Sequence, residues 1–206
     1  MKITRAIKTN LLRQMFGLKN TFPNMIEFYK SIGLKNGHNG WDFGVQCKDW
    51  YCKTGGQCEN IYFDVSDCYG RIDKLYKDDI NTGYGIKLIT EDKDGIFQHR
   101  FWHFDSINPL LKVGDILSPG DLLGVSGNTG YSTGAHLHRD LKKMGRDTYG
   151  NLYEKEIGNG YDGCCDIAPY FQPIFIVDLM NGLQLQLSIL QKLIKVVSDI
   201  LKLLKK

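Results

Sequence analysis

The sequence predicts a mainly β fold, a small antiparallel β-sheet with loop insertions, followed by a C-terminal amphipathic helix. Two observations carry this prediction. Between His38 and about Leu141, short β-rich segments such as 85–90 and 97–104 alternate with glycine-containing stretches, as is typical of antiparallel strands joined by turns. From Leu183 to Lys206, apolar residues recur every seven positions with glutamines and lysines opposite, which indicates a helix.

We divide the chain into three parts. Residues 1–37 are expected to be an N-terminal lead-in, because apolar residues are mixed with Lys and Arg and a turn is expected at 22–24. Residues 38–172 hold the predicted sheet and end in a polar, glycine-rich stretch. Residues 173–206 hold the helix.

The helix has several alternative roles. At about 1.5 Å per residue, residues 183–206 would extend over about 36 Å, but the interspersed lysines argue against a membrane span. Its wide apolar face favours a bundle over a two-stranded coil. We therefore expect residues 183–206 to mediate a homo-oligomer or bind a partner protein; contact with a membrane surface and packing on the sheet domain are the alternatives.

Composition places the chain among ordinary globular proteins. Its 206 residues are enough for a sizeable core, with 42% hydrophobic and 24% charged residues. A formal net charge of +3 gives no case for nucleic acid as a partner.

Six cysteines are many for this length. Cys47, Cys52, Cys58 and Cys68 lack the C-x2-C spacing of a structural zinc site, so we expect disulfides, with Cys164 and Cys165 pairing with the earlier cluster. Disulfides would imply an extracytoplasmic site of action. No signal peptide is visible in residues 1–20, which fits release by lysis, delivery on a phage virion, or truncation of a longer precursor.

Four of the five histidines fall into short motifs that suit one metal site. They are His38-Asn-Gly-Trp-Asp42, Trp102-His103-Phe104 and His136-Leu-His138. On a strand, residues i and i+2 share a face, so His136 and His138 point the same way, as do His38, Gly40 and Asp42 if that stretch is extended. Two imidazoles and one carboxylate are a common ligand set for catalytic zinc.

The segment from Val113 to His138, VGDILSPGDLLGVSGNTGYSTGAHLH, resembles the lysostaphin-type (LytM-like) zinc endopeptidases of bacterial cell walls. The glycines are in register over about twenty-five residues, and the resemblance extends over roughly residues 36–142. It implies a lysostaphin-like peptidase core in residues 38–172. Arg139 departs from the family pattern, which usually has an aromatic or aliphatic residue there.

Transferred position by position, the resemblance makes His38, Asp42 and His138 the ligands of a Zn²⁺ ion. His103 and His136 become the catalytic pair. The implied activity is hydrolysis of peptide bonds in peptidoglycan, at cross-links or stems, by metal-activated water. No H-E-x-x-H motif is present, so the two catalytic histidines would move the proton and hold the oxyanion.

Two further interpretations concern His99 and the function of the whole chain. His99 has no counterpart in the family; we expect an exposed strand histidine, with a place near the cleft as the alternative. For the whole chain, the alternative function is a non-catalytic binding or structural member of the same fold, for example in a phage virion.

Overall fold

The computed structural model describes residues 1–8, 11–45, 58–79 and 83–172, and these form a largely β structure with one short helix. The helix α1 is Ile26–Ser31. Single turns of 3-10 helix lie at Leu18–Asn20, Pro23–Met25 and Ala168–Tyr170. The strands are β1 (Leu11–Gln14), β2 (Trp41–Gly44), β3 (Asn60–Tyr62), β4 (Gly70–Asp79), β5 (Gly83–Asp92), β6 (Gly95–Ile107), β7 (Ile116–Leu117), β8 (Leu122–Ser126), β9 (His136–Arg146), β10 (Leu152–Glu154) and β11 (Cys164–Cys165).

These strands form one sheet. Its main path runs β1-β2-β9-β6-β5-β4-β7, while β8 joins β6 and β3, and β10 and β11 extend β9. Neighbouring strands pair antiparallel. The predicted mainly β, antiparallel fold is therefore confirmed.

Side-chain alternation separates the two faces of the sheet. On β9, Leu137 and Leu141 are fully buried in the hydrophobic core, whereas His136 and His138 point to the opposite face. Core residues of the neighbouring strands, such as Phe101 on β6, lie on the same side as Leu137. The face opposite the core is where the site residues collect.

The N-terminal residues are part of this domain. Ile3, Ala6 and Ile7 are buried in the same core, and β1 pairs with β2. Residues Met1–Phe171 form one compact unit, so the expected lead-in supplies both a strand and core packing.

Three of the described cysteines are not joined by disulfides. Cys68, Cys164 and Cys165 are free thiols, so the prediction that Cys164 and Cys165 pair with the earlier cluster is wrong for the described residues. The physical reason is burial: both lie on β11 beside β9, where the Cys164 thiol contacts the Arg100 guanidinium at 2.9 Å. Cys47 and Cys52 lie outside the described residues.

The predicted helix of residues 173–206 also lies outside the described residues. Within the part of the chain that the structure describes, no helix is long and apolar enough to cross a bilayer.

Candidate metal centre

Three side chains predicted as zinc ligands meet at one point. Asp42 on β2 lies directly opposite His138 on β9, and His38 comes from the turn before β2. His138 Nδ1 is 2.8 Å from Asp42 Oδ1, and His38 Nε2 is 3.1 Å from each of these two atoms. Residues 38–40 precede β2, which begins at Trp41, so strand pairing accounts for the position of Asp42 but not for that of His38.

This triangle fits a zinc ion. Ligand atoms about 2.0–2.1 Å from a tetrahedral ion lie about 3.3–3.4 Å apart, close to the separations found here. A Cβ atom on Gly40 would lie 2.7 Å from His138 Nε2 and 2.7 Å from the Arg139 carbonyl oxygen. Only glycine therefore lets the chain between His38 and Asp42 pass this close to the ligand ring.

Four imidazoles share a further property: each has one ring nitrogen held by an acceptor that faces away from the centre. The pairs are His38 Nδ1 with the Met15 carbonyl (3.1 Å), His103 Nδ1 with the Thr129 carbonyl (2.7 Å), His136 Nδ1 with the Gly134 carbonyl (2.7 Å) and His138 Nε2 with the Asp140 carboxylate (3.3 Å). A carbonyl oxygen can only accept, so the engaged nitrogen carries the proton. The other ring nitrogens of His38, His136 and His138 lie within 3.6 Å of Asp42 Oδ1.

The two histidines predicted to be catalytic lie beside the triangle. The ring centroids of His103 and His136 are 4.7 Å apart, and His136 Nε2 is 3.6 Å from Asp42 Oδ1. All five predicted site residues are thus brought together around one centre.

A β-bulge places His103. Trp102 pairs with Gly85 and Phe104 with Tyr84, so His103 is an extra residue on β6, with φ of 66°. Regular alternation would have turned His103 into the core with Phe101. The bulge turns it into the cleft instead, as bulges near active sites commonly do.

The charges of the centre favour a cation. Burial opposes a charge on His138, but hydrogen bonds to Asp140 and Asp42 outweigh it and raise the pKa of His138 to about 9. Burial also opposes a charge on Asp42, yet contacts with His138 and His38 hold its pKa well below the usual range. The two carboxylates stabilise positive charge at this ring, so a proton and a divalent metal ion compete for His138 Nδ1.

His103 and His136 are electrically different from His138. Burial, and repulsion by His136, lower the pKa of His103 to about 3. Burial also lowers the pKa of His136. Both rings are therefore neutral at pH 7 and can accept a proton.

Asp140 is a site residue that the sequence analysis missed. Its carboxylate contacts His138 Nε2, accepts from Trp102 Nε1 at 3.0 Å and pairs with Arg100. The signal was available, because Asp140 continues the i, i+2 series of His136 and His138 on the same face of β9.

The centre lies in a cleft of about 1070 Å³. One wall comes from the N-terminal segment, including Phe22, Phe28 and Ile32, and the opposite wall comes from residues 130–135. The Phe28 and Tyr131 rings meet across the cleft edge to face, with centroids 6.2 Å apart.

His99 and Arg139 lie in the core, not in the cleft. His99 is fully buried, so the expectation of an exposed strand histidine is wrong, and the alternative place near the cleft is not found either. It contacts Thr90 and Arg139, and Arg139 pairs with the buried Asp64 at 3.0 Å. Parity failed for His99 because the bulge at His103 separates the two residues onto opposite faces.

Comparisons with known proteins agree with this fold. The model for peptidase family M23 matches residues 65–149, a range that includes His103, His136 and His138. Lysostaphin of Staphylococcus simulans is 41% identical over 58 residues, and the peptidoglycan DD-endopeptidase ShyA of Vibrio cholerae is 36% identical over 66 residues.

These matches are partial. They cover 28% and 32% of this chain, but only 11% and 15% of the two relatives. The structure of Csd3 from Helicobacter pylori in its orthorhombic crystal superposes with a TM-score of 0.51 at 14% identity, over 93% of this chain and 44% of that chain, and this shows the fold alone. Residues 65–149 therefore match peptidase family M23, and the chain is similar to lysostaphin-type members of that family over part of its length.

Proposed function

We propose that this chain is a zinc-dependent endopeptidase that hydrolyses peptide bonds in bacterial peptidoglycan. One observation carries the proposal: ligand atoms of His38, Asp42 and His138 lie within 3.1 Å of one another, with His103 and His136 beside them. Such a set binds a cation and leaves bases beside it. The names of the relatives, among them a peptidoglycan DD-endopeptidase, support peptidoglycan as the substrate.

His38, Asp42 and His138 would hold the zinc ion. When bound, zinc supplies Lewis acidity towards a carbonyl group and lowers the pKa of water. Asp42 offsets part of the charge of the ion, and Asp140 fixes the ring of His138 from behind.

His103 and His136 would move the proton. Each is neutral and has a free Nε2, because its Nδ1 proton is held by a backbone carbonyl. One ring can therefore take a proton from an attacking water at its free Nε2, and the same ring, once charged, can pass that proton to the leaving amine. The carbonyls of Thr129 and Gly134 keep both rings in place throughout.

The test combines metal analysis with hydrolysis. We expect about one zinc per chain, and cleavage of purified sacculi that stops on chelation and returns with zinc. Asp42→Asn and His138→Ala should lose both zinc and cleavage, whereas His136→Ala should retain zinc and lose cleavage. Asp162→Asn is the matched control, because Asp162 also lines the cleft but contacts none of the ligand atoms.

Two outcomes would contradict the proposal. Bound zinc without cleavage of several wall types would favour a binding role. Absence of zinc from the folded protein, even after zinc is added, would remove the mechanism.

A further inference from the structure

A row of paired residues leads from the metal centre across the sheet. Strand register places Asp42 opposite His138, His138 opposite Trp102, Trp102 opposite Gly85, and Gly85 opposite Tyr76. Residues directly opposite one another on neighbouring strands share a face. The row therefore runs from β2 to β4 on the face that carries the site.

Aromatic rings form the middle of this row. A Cβ atom on Gly85 would lie 2.1 Å from the Trp102 ring, so the indole lies over the glycine. The Tyr76 ring meets Trp102 edge to face, with centroids 5.0 Å apart. Trp102 also lines the cleft, so the aromatic surface continues directly from it.

A second row, displaced by two residues along each strand and therefore on the same face, ends in two lysines. Asp140 lies opposite Arg100, Arg100 opposite Lys87, and Lys87 opposite Lys74. The Lys74 and Lys87 ammonium groups lie 4.3 Å and 5.4 Å from the centroid of the Tyr76 ring. We refer to Trp102, Tyr76, Lys74 and Lys87 as the shelf.

Among the described residues, no carboxylate forms an ion pair with either shelf lysine. Like charges directly opposite each other destabilise a sheet. Their neighbour Arg100, by contrast, is paired with Asp140 and Asp162. The cation–π contacts hold the ammonium groups over Tyr76 and leave N–H donors directed to solvent.

From this arrangement we infer that the shelf binds a carboxylate on the substrate's peptide arm, an inference that rests on the proposed function. Tyr76 is three strand spacings from His138, or about 14 Å. An extended peptide spans that distance in about four residues. The shelf thus recognises an acidic group about four residues from the bond that is cut, and the aromatic rings support the chain between.

The experiment measures binding separately from cleavage. All proteins carry His136→Ala, and the probe is a set of soluble, fluorescently labelled peptidoglycan fragments, used either untreated or with their carboxylates amidated by carbodiimide and ammonia. Lys74→Gln/Lys87→Gln should raise the dissociation constant for untreated fragments about three- to tenfold, as expected for two exposed ion pairs. Amidation should do the same to the parent protein and add nothing to the double variant.

The matched control is Lys112→Gln/Lys155→Gln, which removes the same charge at exposed positions outside the shelf. It should bind like the parent, and neither double variant should unfold at a lower temperature than the parent. The inference is overturned if the shelf variant and the parent bind untreated fragments with equal affinity. It is also overturned if amidation of the fragments lowers the affinity of both proteins equally. Because binding is read without turnover, a wild-type chain that cleaves nothing refutes the proposed function and not the shelf.

Discussion

Replacing Asp140 by Asn tests whether the residues behind the metal centre position its ligand. The carboxylate of Asp140 contacts His138 Nε2 at 3.3 Å and also meets Arg100 and the indole N–H of Trp102. Asn keeps the shape of the side chain but loses its charge. His138 would then lack the anionic acceptor that sets its proton and its ring orientation.

Asp140→Asn should lower both the zinc affinity and the free energy of unfolding. Loss of such a partner of a metal-bound histidine typically lowers metal affinity about 10- to 100-fold. Asp140 and Arg100 are also a buried pair, with side chains 1% and 8% exposed, and removing one member of a buried pair commonly costs about 3–5 kcal/mol. Arg100 retains Asp162 at 2.9 Å, so we expect about 2–3 kcal/mol for the loss in the free energy of unfolding.

Both quantities can be measured on the same samples. Zinc affinity is obtained by competition with a chromophoric chelator, and the free energy of unfolding by urea titration of zinc-free protein. Asp162→Asn is the control, because Asp162 is 55% exposed, pairs with the same Arg100 and does not touch His138. Zinc affinity of Asp140→Asn equal to that of the wild type, or reduced no more than in Asp162→Asn, would refute the reasoning.

Gly40→Ala should abolish zinc binding, measured as metal content, because the new methyl group would meet the His138 ring and the backbone beside it; normal zinc content would contradict the close approach. Burial opposes a charge on His138, but hydrogen bonds raise its pKa to about 9, so zinc must displace a proton from this ring. Zinc affinity should therefore fall by up to about tenfold per pH unit below pH 9. Calorimetry of zinc binding at pH 7 in two buffers should show about one proton released, and release of none would count against this prediction. Burial and the charge of Arg139 lower the pKa of His99 well below 6.5, so below about pH 6.5 the unfolded chain binds a proton that the folded chain does not. The free energy of unfolding should therefore decrease in that range, by up to about 1.4 kcal/mol per pH unit. Urea unfolding at pH 7 and pH 5 should show a smaller decrease in His99→Gln than in the wild type, and an equal decrease would exclude this assignment. Removing residues 183–206 should lower the oligomer mass in sedimentation and spare cleavage of soluble fragments; two monomeric proteins would exclude the bundle.

The strand pattern predicted the face of β9 but could not predict that of β6. His136 and His138 follow strict alternation, so their shared orientation could be derived from spacing alone. His103 could be assigned only from its family motif, because the bulge depends on pairing with Tyr84 and Gly85, which are distant in sequence. The same bulge explains why the parity argument misplaced His99.

The cysteines and the N-terminal segment show a second limit of the sequence. A count of six cysteines indicates disulfides only if the thiols approach one another, and Cys164 is instead packed against Arg100. Residues 1–8 mix apolar with basic residues, and Ile3 and Ile7 are buried in the core of the assembled sheet. The contact of Cys164 with Arg100 and the burial of Ile3 and Ile7 depend on long-range contacts that no local pattern encodes.

The rows of paired residues cross the strands instead of following them, and this bears on the stereochemistry of what can bind. A peptide that adds to a sheet edge must match the alternation of L-residues in the ladder. A peptide lying from Asp42 towards Tyr76 runs perpendicular to that ladder and is contacted by side chains alone. Such a groove does not impose the residue alternation that pairing with a β-strand requires, so a chain that mixes D- and L-amino acids is not excluded by ladder geometry.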